Sequence, residues 1–172
     1  GYGGYREIYN STEITASVLV PLACHQNEFV ILFTRRSERL LRHKGQVSFP
    51  GGIRELKDGN LLDTALRETK EEIGIPSEQI RFLVSQPPVA STKGFFIVPI
   101  VGFINNLNGL QPNHDEVAKI FSVPYNWIIN IDNVKLIDYV DQKGIMHKVW
   151  SYSEFEGEVI WGITANILQS FI

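Results

Sequence analysis

A single α/β domain, a mixed β-sheet covered by helices, is the fold class this sequence predicts, and three observations predict it. Short apolar runs rich in β-branched residues recur along the chain between turn formers, the pattern of buried strands. Residues 62–73 change to the helical period and end on Gly74 and Pro76. The 172 residues, 44% of them hydrophobic, suffice to bury one core without disulfides or structural metals. No internal repeat or low-complexity linker divides the chain, so residues 1–172 are expected to form one domain.

Taken in order, residues 14–22 and 28–34 read as two strands joined at His25-Gln26-Asn27, a hairpin. A basic stretch from Arg35 to Lys44 follows, then a short apolar run at 47–49 and the loop Pro50-Gly51-Gly52. In the helix, Leu62, Ala65, Leu66, Thr69 and Ile73 share one face; Gly74 suits a left-handed C-cap, and Pro76 prevents continuation. Strands are expected at 80–84, 95–103, 117–122 and 134–140, with weaker strand patterns at 148–152 and 159–161. Residues 164–172 read as a closing helix whose Ile167, Leu168, Phe171 and Ile172 dock on the sheet.

Composition removes several function classes. A net charge of −3 and a pI near 5.8 argue against broad electrostatic binding of nucleic acid. The apolar runs are too short and too interrupted to span a bilayer. Cys24 is the single cysteine and makes no internal disulfide, and no Cys/His spacing reads as a zinc site, so a reducing compartment is the simpler expectation. The start, Gly-Tyr-Gly-Gly-Tyr, lacks the basic and apolar regions of a secretory signal. His25, His43, His114 and His147 have no recognisable partners and are read as surface or structural; His43, inside the basic stretch, is the one placed to meet phosphate.

The chemistry-bearing segment runs from Gly52 through Asp58 to Arg67-Glu68-Thr69-Lys70-Glu71-Glu72-Ile73-Gly74-Ile75. At ~100° per residue, Glu68, Glu71 and Glu72 fall within an arc of roughly 100° on one side of the helix, away from Lys70. Two such carboxylates ~5 Å apart repel by roughly 3 kcal/mol at an effective dielectric near 20, and a hard divalent cation is the natural occupant of the grouping. Magnesium or manganese there offsets the repulsion, holds phosphate oxygens and activates water. Gly51 and Gly52 let the preceding loop approach metal or phosphate with backbone groups, and Arg67 can brace a carboxylate through its planar fork. Taken alone, Glu-x-x-Glu-Glu also describes a solvated acidic helix face; the surrounding residues decide.

Those residues resemble the Nudix signature: Gly52, Arg67, Glu68, Glu71, Glu72, Gly74 and Ile75 match it. Asp58 stands where the first glutamate is expected, with one extra residue before Arg67, and Thr69 replaces an aliphatic residue. The resemblance implies an α/β/α sandwich with a catalytic loop-helix-loop. It also implies metal binding chiefly by Glu68 and Glu72, with Glu71 assisting. Gly51 is a further candidate for the metal, and Glu71, Arg67 and Glu116 are the candidate catalytic residues. Glu116 follows a long, turn-rich stretch at 105–114 and precedes an apolar segment, from which it can fold back over the helix as ligand or general base.

A second stretch, Leu32 to Ser37 and on through Gly45 to Gly52, resembles the signature of the coenzyme A diphosphatase branch, although Leu41 stands where that branch has an arginine and Arg42 lies next to it. Pro87-Pro88-Val89 to Pro99, Asp115-Glu116-Val117 and Trp161-Gly162-Ile163-Thr164-Ala165 extend the likeness, with bacterial members closest. Arg35, Arg36, Arg39, Arg42 and Lys44 place five cations in ten residues, a local patch suited to an anion carrying a diphosphate and a 3′-phosphate. Arg36, Arg35, Arg42 and Gly52 are the candidate substrate contacts. Gly94, Phe95 and Phe96 are candidates to line the pantetheine or adenine region.

The expected reaction is metal-dependent hydrolysis of coenzyme A or a derivative to 3′,5′-ADP and 4′-phosphopantetheine. The rivals are a Nudix hydrolase of ADP-ribose, NADH or a dinucleoside polyphosphate, and a nucleotide-binding module that does not hydrolyse. The bacterial-like pattern favours the cytoplasm; related eukaryotic enzymes can be peroxisomal, and Phe171-Ile172 is no Ser-Lys-Leu address. Oligomeric state is left open.

Overall fold

The computed structural model describes residues 15–41 and 45–172. Its main sheet is organised around β1 (Thr15–His25), which turns at Gln26-Asn27 into β2 (Glu28–Arg36). Both turn residues have positive φ, 50° and 66°, the backbone that matches the twist of a two-residue hairpin and that asparagine tolerates well. The predicted hairpin is present, and both strands run past their predicted ends.

β1 and β2 pair only over Leu22–His25 and Phe29–Ile31 with Glu28, then separate. Into the fork comes β4 (Gly51–Ile53), which pairs with Ala16, Ser17 and Val18 of β1, while β3 (Val47–Ser48) pairs with Thr34 and Arg35 of β2. The sequence had read Pro50-Gly51-Gly52 as a loop. It is a strand because both glycines permit contact that a side chain would block: a Cβ on Gly51 would lie 2.4 Å from the Ser17 carbonyl oxygen. The other edge of β1 pairs in parallel with β7 (Phe96–Ile104), which carries β5 (Ile80–Ser85) and β6 (Val89–Ala90), and β8 (Val117–Pro124) lies against β2. The sheet is therefore mixed.

Helices cover both faces. α1 (Leu61–Ile73) packs with Leu61 and Ala65 on Leu19, Val98 and Ile100, and with Ile73 on Ala23, Val30 and Leu32. On the opposite face α2 (Tyr125–Ile128) and α3 (Ile163–Gln169) bury Ile128, Ile167 and Leu168 against Val20, Ile31, Phe33, Val101 and Val123. Neighbours such as Leu19 and Val20, or Ile31 and Leu32, thus serve opposite cores, which is why the runs read as continuously apolar. The expected α/β/α sandwich is observed. Among the described residues no helix is long and apolar enough to cross a membrane.

α1 begins one residue earlier than predicted because the Asn60 side chain accepts the Asp63 amide at 2.9 Å. It ends as predicted on Gly74, φ 78°. Its buried face is turned slightly from the predicted one: Leu61, Thr64, Ala65, Thr69, Glu72 and Ile73 are buried, and Leu66 is not. Thr69 fits this face because its hydroxyl donates to the Ala65 carbonyl at 2.7 Å.

β9 (Val134–Val140) and β10 (Met146–Tyr152) form a separate two-stranded sheet. The expected strand at 159–161 is replaced by an irregular return along β10: Tyr152 N–H donates to Ile160, Gly162 N–H donates to Trp150, and a single bridge joins Ser151 to Trp161. Positive φ at Glu156, Gly157 and Gly162 bends this segment away from a regular ladder. α3 starts at Ile163 and stops at Gln169, short of the predicted Ile172.

Candidate active site

Glu72 is the centre of the site. Its side chain comes off the buried face of α1 beneath β4, and Gly51 N–H donates to its Oε2 at 2.7 Å. Only 5% of the residue is exposed. Burial pushes its carboxyl up to about 8; the Gly51 amide and the Arg36 charge oppose that rise, while Glu68 and Glu116 add to it. Glu68, one turn earlier, is also raised, first by burial and then by Glu71 and Glu116, against the pull of Arg67. A Cβ on Gly52 would lie 2.4 Å from Glu68 Oε1, so this glycine makes room for the carboxylate itself. Gly51 and Gly52 thus seat the two glutamates, one through its amide and one through the side chain it lacks.

Arg67 is committed to carboxylates. Its Nε and Nη2 donate to the two oxygens of Asp58, each at 2.9 Å, and Nη1 donates to Glu68 Oε1 at 2.8 Å and to Glu71 Oε2 at 3.3 Å. Asp58 also accepts the Glu55 amide and the Thr64 hydroxyl, and these donors hold it well below the usual carboxylate range. The residue that departs from the family signature is therefore the anchor of Arg67. Sequence reasoning missed this role; the available signal was an acid nine residues before an arginine on a helix face that carries three other acids. Glu71 is about half-exposed and sits at the outer side of the cluster.

Glu116 arrives on the loop that follows β7, on the face that α1 covers. The segment after β7 folds onto the end of α1, where Gln111 N–H donates to the Ile73 carbonyl and Asn113 N–H to the Glu72 carbonyl, each at 2.9 Å. Glu116 is then tied to the end of β2, its carbonyl accepting Ser37 N–H at 2.8 Å. From there its charge raises both Glu68 and Glu72. The two orphan carbonyls of the helix end are what make this long loop fold back.

Among the described residues no three carboxylate, histidine or cysteine side chains converge on one point; Glu68 and Glu71 rest on Arg67 and Glu72 on the Gly51 amide. Their chemistry nonetheless fits a hard divalent cation. Four glutamates, two of them with carboxyl groups pushed up by burial and by neighbouring glutamates, form a set that a cation relieves and that no histidine or thiol softens.

Beside Gly51 and Gly52 opens a cavity of about 440 Å³, reaching across the sheet face to α3 and the β9–β10 hairpin. Arg36 lines it at the glutamate end, and its Nε is buried without a hydrogen-bond partner among the described residues. Arg35 points elsewhere: its Nη1 pairs with Glu158 at 3.1 Å, as does Lys119 Nζ, in a second depression. Arg39 lies at the surface, 3.5 Å from Asp115. Arg42 and His43 lie outside the described residues. Phe95 lines the cavity together with Lys93, Tyr139 and Trp161, the last two of which the sequence gave no reason to join.

The comparisons agree with this geometry. A family model described as the NUDIX domain matches residues 13–142. The uncharacterized Nudix hydrolase NudL of Pectobacterium atrosepticum is 39% identical over 154 residues, covering 90% of this chain and 79% of that protein. The protein of the same name from Photorhabdus laumondii is 39% identical over 154 residues, with 90% and 81% covered. Among solved structures, a MutT/nudix family protein from Enterococcus faecalis superposes with a TM-score of 0.59 at 16% identity, over 94% of this chain and 61% of that one. A C. elegans Ap4A hydrolase in a binary complex gives 0.53 at 20% identity, over 64% and 80%. At such identities the structures speak for the fold, and the family model and the relatives speak for the lineage: the chain belongs to the Nudix family and is a Nudix hydrolase, an enzyme of diphosphate hydrolysis.

Proposed function

We propose that the chain hydrolyses the diphosphate of coenzyme A or a derivative, with magnesium or manganese, releasing 3′,5′-ADP and 4′-phosphopantetheine. The observation that carries the reading is the placement of Arg36, a partly exposed cation whose buried Nε has no partner among the described residues, between the glutamate cluster and a cavity large enough for a bulky organic group. An anion that bridges these two places satisfies the orphan donor and meets the metal-suited carboxylates. The likeness of residues 32–52 to the coenzyme A branch supports that substrate, because the described residues of this stretch include the end of β2, β3 and the start of β4, which line the cavity beside the glutamates.

In this reading Glu68 and Glu72 hold the metal, with Glu71 and the Gly51 backbone assisting. The bound ion polarises phosphate oxygens and lowers the pKa of water. Arg36 and the backbone at Gly52 hold the diphosphate, with Arg42 contributing to the positive approach. Arg67 is a positioning residue, since Asp58 fixes its guanidinium and it in turn fixes Glu68. Glu116 accepts the proton of the attacking water, with Glu71 as the other carboxylate able to do so. The water oxygen bonds to one phosphorus, the bridging P–O bond breaks, and the departing phosphate carries away the bond's electron pair.

The test is mass spectrometry of products after incubation with magnesium or manganese and, in parallel, coenzyme A, its 3′-dephospho form, ADP-ribose and NADH. The expected result is 3′,5′-ADP and phosphopantetheine formed faster than products of the others. Preference for another diphosphate overturns the substrate and keeps the chemistry. Nucleotide binding without turnover of any of them overturns the reaction.

A further inference from the structure

The Trp161-Gly162-Ile163-Thr164 segment has no part in the chemistry above, yet it ties β10 to β3 at the cavity's far end. Gly162 N–H donates to Trp150 of β10 at 2.9 Å, Thr164 Oγ1 donates to Val47 of β3 at 3.0 Å, and Asn166 Oδ1 accepts Trp150 N–H at 3.1 Å. The Trp161 ring is thereby held 5.3 Å from the Tyr139 ring of β9 at an angle of 59°, both partly exposed and both facing the cavity. Alternation along β9 puts Tyr139 on the cavity side, while Asp138 and Val140 face solvent. The hairpin turn fixes this wall: Asp141 accepts the Lys143 and Ile145 amides at 2.9 Å each and holds His147 Nε2 at 2.9 Å, next to Tyr139.

What the far end offers a ligand is largely apolar and ring surface, and several of its polar groups already serve the fold. The Thr164 hydroxyl is spent on Val47, the Asn166 oxygen on Trp150, the Ser91 hydroxyl on the Lys93 and Phe95 amides, and Ser48 on Thr34. A pantetheine arm brings two amides that need partners along their length. A heteroaromatic base has two broad faces that ring walls stabilise, and Phe95 adds a third ring to the lining.

We infer that Tyr139 and Trp161 form the base-recognition subsite, on which the adenine of the substrate stacks while its phosphates reach Arg36. The inference rests on the diphosphatase reading above and assigns the two halves of its substrate to opposite sides of the glutamate cluster. The β9–β10 hairpin is then the element that sets specificity, and the segment at 161–164 positions it.

The test separates the two halves of the substrate by binding, without turnover. 3′,5′-ADP, ADP and 4′-phosphopantetheine are titrated calorimetrically into the wild-type chain and into Tyr139→Ala, Tyr139→Phe and the outward-facing control Val140→Ala. Tyr139→Ala is expected to weaken both adenine nucleotides about ten-fold, within the range of base–aromatic stacking. Phosphopantetheine binding stays unchanged, Tyr139→Phe restores nucleotide binding, and Val140→Ala matches wild type. Trp161→Phe, which keeps a ring, answers the same question if Tyr139→Ala does not fold. Weakened phosphopantetheine with unchanged 3′,5′-ADP puts the pantetheine arm on this wall and overturns the inference. So does unchanged affinity for all three probes, or no nucleotide binding by wild type. Loss of ADP binding in Tyr139→Ala by a chain that does not cleave coenzyme A keeps the subsite and overturns only the substrate.

Discussion

Glu72 is the most deeply buried glutamate of the cluster, and its behaviour is testable. With the metal absent, its carboxyl, normally near 4.5, is raised to about 8, so the folded protein holds a proton there that the unfolded chain gives up. Between those values folding takes up a proton, and stability falls as pH rises. That contribution is fully present below about pH 4.5 and lost through pH 8, a change of a few kcal/mol at most. EDTA-treated protein is expected to melt at lower temperature at pH 8 than at pH 5.5, and Glu72→Gln to flatten that slope; parallel slopes for the two proteins contradict the assignment. Turnover of Glu72→Gln is expected to drop at least about 100-fold, read by initial rates at saturating magnesium. Asp58 works in the opposite sense. Its carboxylate is buried on Arg67, and Asp58→Asn leaves the guanidinium short of its main partner, at a cost of about 3 kcal/mol in denaturant unfolding. An unchanged midpoint would show that Arg67 finds other partners.

At the scale of elements, the site is a strand of glycines laid across a helix of glutamates. Gly52→Ala puts a methyl group within van der Waals overlap of Glu68, so the carboxylate must move off Arg67. The expected outcome is a turnover loss of at least about ten-fold with a much smaller shift in melting temperature, since β4 is short and at the rim. Equal losses in both would mean that Gly52 serves the fold and not the site. The sequence exposed one half of this arrangement. The helix, its Gly74 cap and the three-glutamate arc follow from local periodicity, whereas β4 does not: Pro-Gly-Gly has turn chemistry, and only the fork between β1 and β2 makes it a strand. Likewise Arg35 and Arg36 are indistinguishable in sequence. Their side chains part because one meets the buried Glu158 and the other the cavity, a difference that depends on a residue more than 120 positions away.

Across the whole molecule, long-range pairing assembles what the sequence scatters. Glu116 reaches α1 through the loop that caps its last carbonyls, Tyr139 and Trp161 meet across an irregular return, and Arg36 ends β2 at the glutamate end of the same cavity. Glu116 was readable as a candidate because an acid preceded an apolar strand after a long turn; the aromatic wall was not, since rings at strand spacing also describe a core. We propose that this assembled carboxylate cluster is a divalent-cation site. The most direct test is titration of manganese, followed by the loss of its free paramagnetic resonance signal, into wild type and Glu72→Gln at pH 6 and pH 8. Wild type is expected to bind more tightly at pH 8 than at pH 6, because the ion must displace the proton on Glu72, and Glu72→Gln to bind at least about ten-fold more weakly with no such pH dependence. Equal manganese affinity in the two proteins at pH 8 would contradict it.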